Sequence, residues 1–160
     1  MSDDVRWLND DEQATWRAFL EANRIVFEQI ETQLQRQSGV PHTYYEILVR
    51  LSEAPDRSLR MSELASRSFS SRSRLSHAVA RLSEMGWVER VDCPTDRRGQ
   101  IARLTETGFA GLAQAAPGHV ETVRKQIFDA LSPDQVGALR SISEALLKHA
   151  GETCTLADED

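Results

Sequence analysis

Residues 57–105 concentrate side chains suited to holding an anion. Arg72, Arg74, His77 and Arg81 interleave with Leu75, Ala78, Val79 and Leu82. At about 100° per residue the four apolar residues share one side of a helix, and Arg74, His77 and Arg81 lie nearly opposite. One face can therefore enter a core while the other meets oxyanions. Arginine suits the second task, because its planar fork of N–H groups matches phosphate and the edge of guanine. Ser71, Arg72 and Ser73 stand where this helix starts, and exposed amides there make a phosphate site, although serine clusters also mark plain turns. Arg97 and Arg98 follow in the polar segment 92–99, whose Pro94, Asp96 and Gly99 suit a hairpin with a projecting tip. Folding explains two adjacent tip arginines poorly; contact with phosphate or a narrow groove explains them well. The competing reading of this loop is a solvated charged hairpin.

Flanking elements must position these groups. Residues 58–60 suit a short strand, and Leu64 and Ala65 face inward from a short helix that Ser62 can cap. Residues 66–71 turn the chain into the longer helix, with Ser70 or Ser71 as its cap. Residues 87–91 and 100–104 are β-compatible runs on either side of the hairpin tip. Upstream, Asp10 and Asp11 can cap and charge a helix in which Trp16, Phe19, Leu20, Phe27, Ile30 and Leu34 keep helical spacing as far as Gln37. Such a helix is too long for one small lobe to bury, so its surplus apolar surface suggests a partner chain; packing on the chain's own last helices is the alternative. Gly39 and Pro41 end it, and a second helix from His42 or Thr43 to Glu53 carries Tyr45, Leu48 and Val49, with Tyr44 and Leu51 on its flank. Downstream, Thr105 should cap a helix beginning near Glu106, where Gly108, Gly111 and the Pro117-Gly118 pair allow close approach or a kink. Ser132 and Pro133 open a last helix whose apolar face is Val136, Leu139, Ile142, Leu146 and Leu147, ending near Ala150.

Leu64-Ala65, Leu82, Gly86-Trp87-Val88-Glu89-Arg90, Pro94, Asp96-Arg97-Arg98-Gly99, Leu104-Thr105 and Gly108 fall in an order that resembles the MarR family of transcriptional regulators. The motifs span residues 44–108; the outer helices match only in length, pattern and position. The resemblance implies a mainly α fold with a small antiparallel β wing (α+β), a winged helix-turn-helix with N- and C-terminal dimerisation helices. The corresponding division is one domain over residues 1–160, with a dimerisation helix at 10–37, the DNA-binding lobe at 42–104, C-terminal dimerisation helices at 105–150 and a flexible tail at 151–160. It also implies a homodimer straddling double-stranded DNA. By position in the family pattern, Ser73, Arg74, Ser76 and His77 are expected at base edges in the major groove, and Ser71, Arg72 and Arg81 at phosphates. Arg98, with Arg97 beside it, is expected in the minor groove, and Asp96 is expected to brace the wing by pairing with a neighbouring Arg. His77 as an ordinary surface residue is the competing reading. His42, Tyr44 and Tyr45 are candidates to line a pocket for a small aromatic or lipophilic effector, against the simpler reading that they only pack.

Composition bounds these expectations. The net charge of −6 argues against nucleic acid until its distribution is considered. Residues 57–103 hold ten Arg and five acidic residues (+5), while residues 1–56 and 104–160 carry −6 and −5. The positive charge sits in the proposed reading lobe. Of 19 basic residues 17 are Arg, for which a coding bias is an equally good explanation. The acidic start has no apolar segment behind it, and no apolar run approaches the roughly 18 residues that suggest a membrane span, so a cytoplasmic protein without membrane association is expected. Cys93 and Cys154 are too few and too far apart for a disulfide framework or a zinc motif. Cys93 beside Arg97 and Arg98 raises the idea of an oxidant-sensitive wing, against the plainer one of an incidental loop cysteine.

Catalysis finds little support. No Gly-rich phosphate loop or paired cysteine ligands are present, and His42, His77, His119 and His149 are scattered, so neither cofactor nor metal nor catalytic residue is expected. The expectation is a dimeric regulator that represses at a palindromic operator and is released by an effector. The alternatives are a winged-helix module that binds protein instead of DNA, and a constitutive DNA-binding protein with no effector.

Overall fold

The computed structural model describes residues 5–68, 71–93 and 96–157, with the backbone alone for 96–98 and 152–157. Residues Met1–Thr122 form one compact unit and Val123–Asp160 a second.

Helix α1, Asp10–Ser38, starts from a reciprocal cap: Asn9 Oδ1 accepts from the Glu12 amide at 2.8 Å, and the Glu12 carboxylate accepts from the Asn9 amide at 2.9 Å. The expected caps, Asp10 and Asp11, lie inside the first turn, because Asn9 is the residue with a glutamate three positions on. They favour the positive end of the helix instead. The helix closes at Gly39 in the left-handed conformation (φ 65). Helix α2, His42–Ser52, has no cap from its own side chains; Glu31 of α1 accepts from the His42 amide at 2.8 Å and satisfies that orphan donor from outside.

A tight turn with Asp56 and Arg57 at positive φ leads into β1, Ser58–Arg60. The Arg57 guanidinium lies 3.9 Å over the Phe109 ring and pairs with Glu106 at 2.9 Å. Helix α3, Met61–Arg67, has Arg60 at its N-cap position without a side-chain cap bond, so Ser62 is not the cap; the chain enters the helix two residues early, directly from the strand. Helix α4, Arg72–Glu84, is capped by Ser71, whose Oγ accepts from the Arg74 amide at 3.3 Å; Ser70, the other candidate, lies outside the described residues. Strands β2, Val88–Cys93, and β3, Asp96–Leu104, are longer than the two expected runs. Pairing continues to Cys93 opposite Asp96, past a register shift at Asp92/Cys93, so Asp92, Cys93 and Asp96 of the expected polar loop join the ladder. Backbone pairing needs no apolar side chain, which is why polar composition concealed it.

The sheet order is β1-β3-β2, antiparallel throughout. Arg103 of the central strand lies in register with Glu89 on one side and Ser58 on the other, and bonds both at 3.2 Å. This row ties the three strands together on one face. On the core side, Leu34, Ile47, Leu48, Leu51, Leu64, Leu75, Leu82, Val79 and Val88 are fully buried. Cys93 is buried as well, so its thiol is not presented at the wing tip as an oxidant sensor needs.

Thr105 Oγ1 accepts from the Gly108 amide at 3.0 Å, capping α5, Glu106–Gln126, as expected. Pro117 lies inside this helix without dividing it. In the second unit, Ser132 and Gln135 cap each other reciprocally at the start of α6, Pro133–Ala157, which continues seven residues past the expected end at Ala150. Among the described residues no helix is long and apolar enough to cross a membrane.

Gly108 and Gly111 bring α5 against Trp87, and a Cβ on Gly108 would collide with the Trp87 carbonyl oxygen. Since backbone cannot yield as a flexible side chain can, Gly108→Ala should lower stability by about 1–3 kcal/mol. Urea unfolding of the whole protein checks this, and an unchanged midpoint would show that the approach is not tight.

Candidate nucleic-acid interface

Burial divides α4 as its periodicity predicts. Leu75, Ala78, Val79 and Leu82 are buried, whereas Ser71, Arg72, Ser73, Arg74, His77 and Arg81 are exposed. The exposed residues differ in how far they are engaged. Arg81 pairs with Glu84 at 2.5 Å, but both side chains are mostly in solvent, so the pair is weak and leaves the guanidinium able to exchange partners. Arg72, Arg74 and His77 have no side-chain partner among the described residues. Ser76 is half-buried, and the Arg90 guanidinium of β2 donates to its carbonyl oxygen at 2.6 Å and its hydroxyl at 3.2 Å. It is therefore less free to meet a base than its phase on the helix implied.

Arg72, Leu75 and Ser76 also line a depression of about 330 Å³ with Met61 and Ser62 of α3 and Gln100 of β3. The sequence pointed to Ser62 only as a helix cap and to Gln100 only as part of a strand, because neither is charged and each sits in a different element. Asp96, Arg97 and Arg98 open β3, and their side chains lie outside the described residues. Arg72 and Arg74 thus stand on the exposed face of a helix packed against the wing that carries the arginine pair.

A second concavity, about 320 Å³, lies within the first unit and is lined by His42, Tyr45, Glu46, Val49, Arg50, Glu53 and His119. Of the three residues expected at an effector pocket, His42 and Tyr45 line it and Tyr44 does not, because one residue along α2 turns the side chain by about 100°. His119 was missed. Gly118 lets α5 pass close to Gln33 and Gln37 of α1, which delivers the next residue to α2. Its ring centroid lies 4.3 Å from that of Tyr45 and 5.9 Å from that of His42, which in turn meets Phe27 at 5.6 Å. His119 Nδ1 and Arg50 Nε are buried without a hydrogen-bond partner. Burial, and then the neighbouring His42, holds the His119 imidazole below its ordinary value; burial alone pushes the Tyr45 phenol up. The site combines an aromatic wall with two nitrogens that lack partners and two lining carboxylates, Glu46 and Glu53. Among the described residues no group of three His, Cys, Asp or Glu side chains could hold a metal ion.

The family model described as "MarR family" matches residues 38–99. Sco3205, a MarR family transcriptional regulator from Streptomyces coelicolor solved in complex with DNA, is 49% identical with a TM-score of 0.88, the match covering 91% of each chain. AbsC, another from the same organism, is 40% identical with a TM-score of 0.88, covering 92% of this chain and 99% of that one. The transcriptional repressor MprA of Escherichia coli is 30% identical over 112 residues, 70% of this chain; the match spans 63% of MprA.

The histidine pair makes stability depend on pH with a definite sign. With its folded value held below the ordinary 6.5, His119 binds its proton less readily in the folded state than in the unfolded one. Its contribution is whole above 6.5 and declines as pH falls towards the folded value. The melting temperature should drop between about pH 7.5 and pH 5.5, and drop less in His119→Gln. Parallel pH profiles for the two proteins would exclude His119 as the source.

Proposed function

This chain belongs to the MarR family, and from that membership we propose that it is a dimeric, sequence-specific DNA-binding transcriptional regulator that represses at a palindromic operator and releases it on binding a small aromatic or lipophilic molecule. One observation carries the proposal: the pairing of its arginines. Arg24, Arg57, Arg67, Arg81, Arg103 and Arg124 each have a carboxylate partner. In a chain of net charge −6, Arg72 and Arg74 have none among the described residues, as is true of Arg36 and Arg140, but Arg74 shares an exposed helical face with His77 and Arg81, and Arg72 stands at the exposed start of the same helix. Guanidinium groups held out in this way are ready to form short charge-assisted bonds with phosphate or base edges. The 49% identical Sco3205 was solved with DNA, and the repressor MprA supports the sign of regulation.

A partner chain is supported by α1, where Trp16, Phe19, Leu20 and Phe27 are 47–51% exposed along one helix. Apolar surface of that extent on a single element marks an interface. A second copy related by a two-fold axis would present two α4 helices, and an operator with half-sites about 10 base pairs apart, or a multiple of that, follows. The aromatic cleft of His42, Tyr45 and His119 is the proposed effector site, since flat rings and buried nitrogens without partners suit an aromatic ligand carrying a few polar groups.

Genomic fragments selected by the protein should contain a palindrome and bind with an affinity that falls steeply with salt. Arg74→Ala, and separately Arg98→Ala, should each weaken binding by about 1–3 kcal/mol. An isotherm unchanged by either substitution removes that residue from the interface, and failure to enrich any duplex at low salt favours a protein-binding module. In sedimentation the wild type should run as two copies and Leu20→Glu as one, with operator binding lost in parallel; a wild type that stays single would refute the symmetric arrangement.

A further inference from the structure

Strand β2 lies at an edge of the sheet, and its side chains alternate between faces. Val88 points into the core, so Arg90, two residues on, is directed to the same side, towards α4. Arg90 is exposed, so water could satisfy its guanidinium, yet the side chain lies back against the helix. There, in the middle of α4, it donates to the Ser76 carbonyl at 2.6 Å and the Ser76 hydroxyl at 3.2 Å. The carbonyl has two lone pairs, so it can receive Arg90 and still serve the helix ladder. The remaining α4 side chains facing the core, Leu75, Ala78, Val79 and Leu82, are buried and fix which face of the helix meets the sheet, while apolar contact by itself has no directional preference within that face. A charged, directional bond supplies one and so resists rotation of the helix about its own axis. Ser76 is one turn on from Arg72 and next to His77, so a rotation there would carry Arg72, Arg74 and His77 relative to the wing.

From this geometry we infer that Arg90 is a positioning residue, which locks the recognition helix to the wing so that the two reading elements meet DNA in one fixed relation and selectivity for the operator depends on it. The inference rests on the DNA-binding reading above. It reassigns Ser76, expected at a base edge, to the role of acceptor for Arg90.

Two measurements on the full-length protein test it. The first is hydrogen exchange without DNA: Arg90→Ala should accelerate exchange in α4 and β2 while the urea midpoint changes little. The second is the ratio of affinities for a selected operator and a scrambled duplex of equal length. Arg90→Ala should lower that ratio about tenfold or more, mainly through the operator. Arg90→Lys keeps the charge without the planar fork, so it should leave the salt dependence intact and the ratio lowered. Ser76→Ala should cost little once Arg90 is already Ala, because the hydroxyl acts through that partner. Unchanged exchange in α4, full recovery of the ratio by Lys, or additive losses for the two alanine substitutions would each overturn the inference. If the wild type enriches no operator, the DNA-binding reading fails by itself, and the exchange experiment still decides whether Arg90 holds the helix.

Discussion

The approach of α5 to Trp87 is the constraint on which the reading lobe depends. Trp87 ends the link from α4 to β2; its amide bonds the Leu82 carbonyl and its carbonyl accepts from Thr105. The recognition helix, the wing and the start of α5 are therefore joined within one residue. Thr105 adds to the joint by donating through its hydroxyl to the Gly86 carbonyl at 2.7 Å while capping α5. The absence of a side chain at Gly108 lets the elements come this close. This joint anchors α4, β2 and α5 at the base of the lobe, and the Arg90 bond to Ser76 adds a second tie further along α4.

Electrostatics completes what packing begins. Arginines on the two faces of the sheet have different tasks. Arg103 holds the strands to one another through Glu89 and Ser58, and Arg90 holds the edge strand to α4. On the outward side of α4, Arg81 pairs with Glu84, whereas Arg72 and Arg74 have no acidic partner among the described residues. Pairing them internally would have improved the isolated chain slightly and cost it most of its attraction for a polyanion.

Much of this was legible in the residues. The two faces of α4, the caps at Ser71, Thr105 and Ser132, and the stop at Gly39 follow from local patterns, and each rests on contacts within a few residues. The errors have physical causes of the same kind. Asp10 and Asp11 were preferred to Asn9 because charge was weighed above the reciprocal partner at Glu12. Ser62 was taken for a cap although the preceding strand feeds directly into the helix. The extent of the hairpin was hidden because backbone pairing is indifferent to side-chain polarity. His119 and Arg90 were missed for another reason: their partners lie on other elements, and only folding brings Tyr45 to the first and Ser76 to the second. The placement of Tyr44 outside the cleft needed the orientation of α2, which its own sequence does not contain.

The first turn of α2 is held from outside, by the bond from the His42 amide to Glu31. Because α2 has no cap of its own, the order of its first turn is on loan from α1. That turn carries His42 and leads to Tyr45, both in the cleft wall. Anything that levers α1 away from the lobe, or wedges between the aromatic rings, frees a backbone donor and loosens a helical turn along with the wall. The order of that turn is thereby tied to the separation of α1 and α2, since the bond weakens as donor and acceptor draw apart.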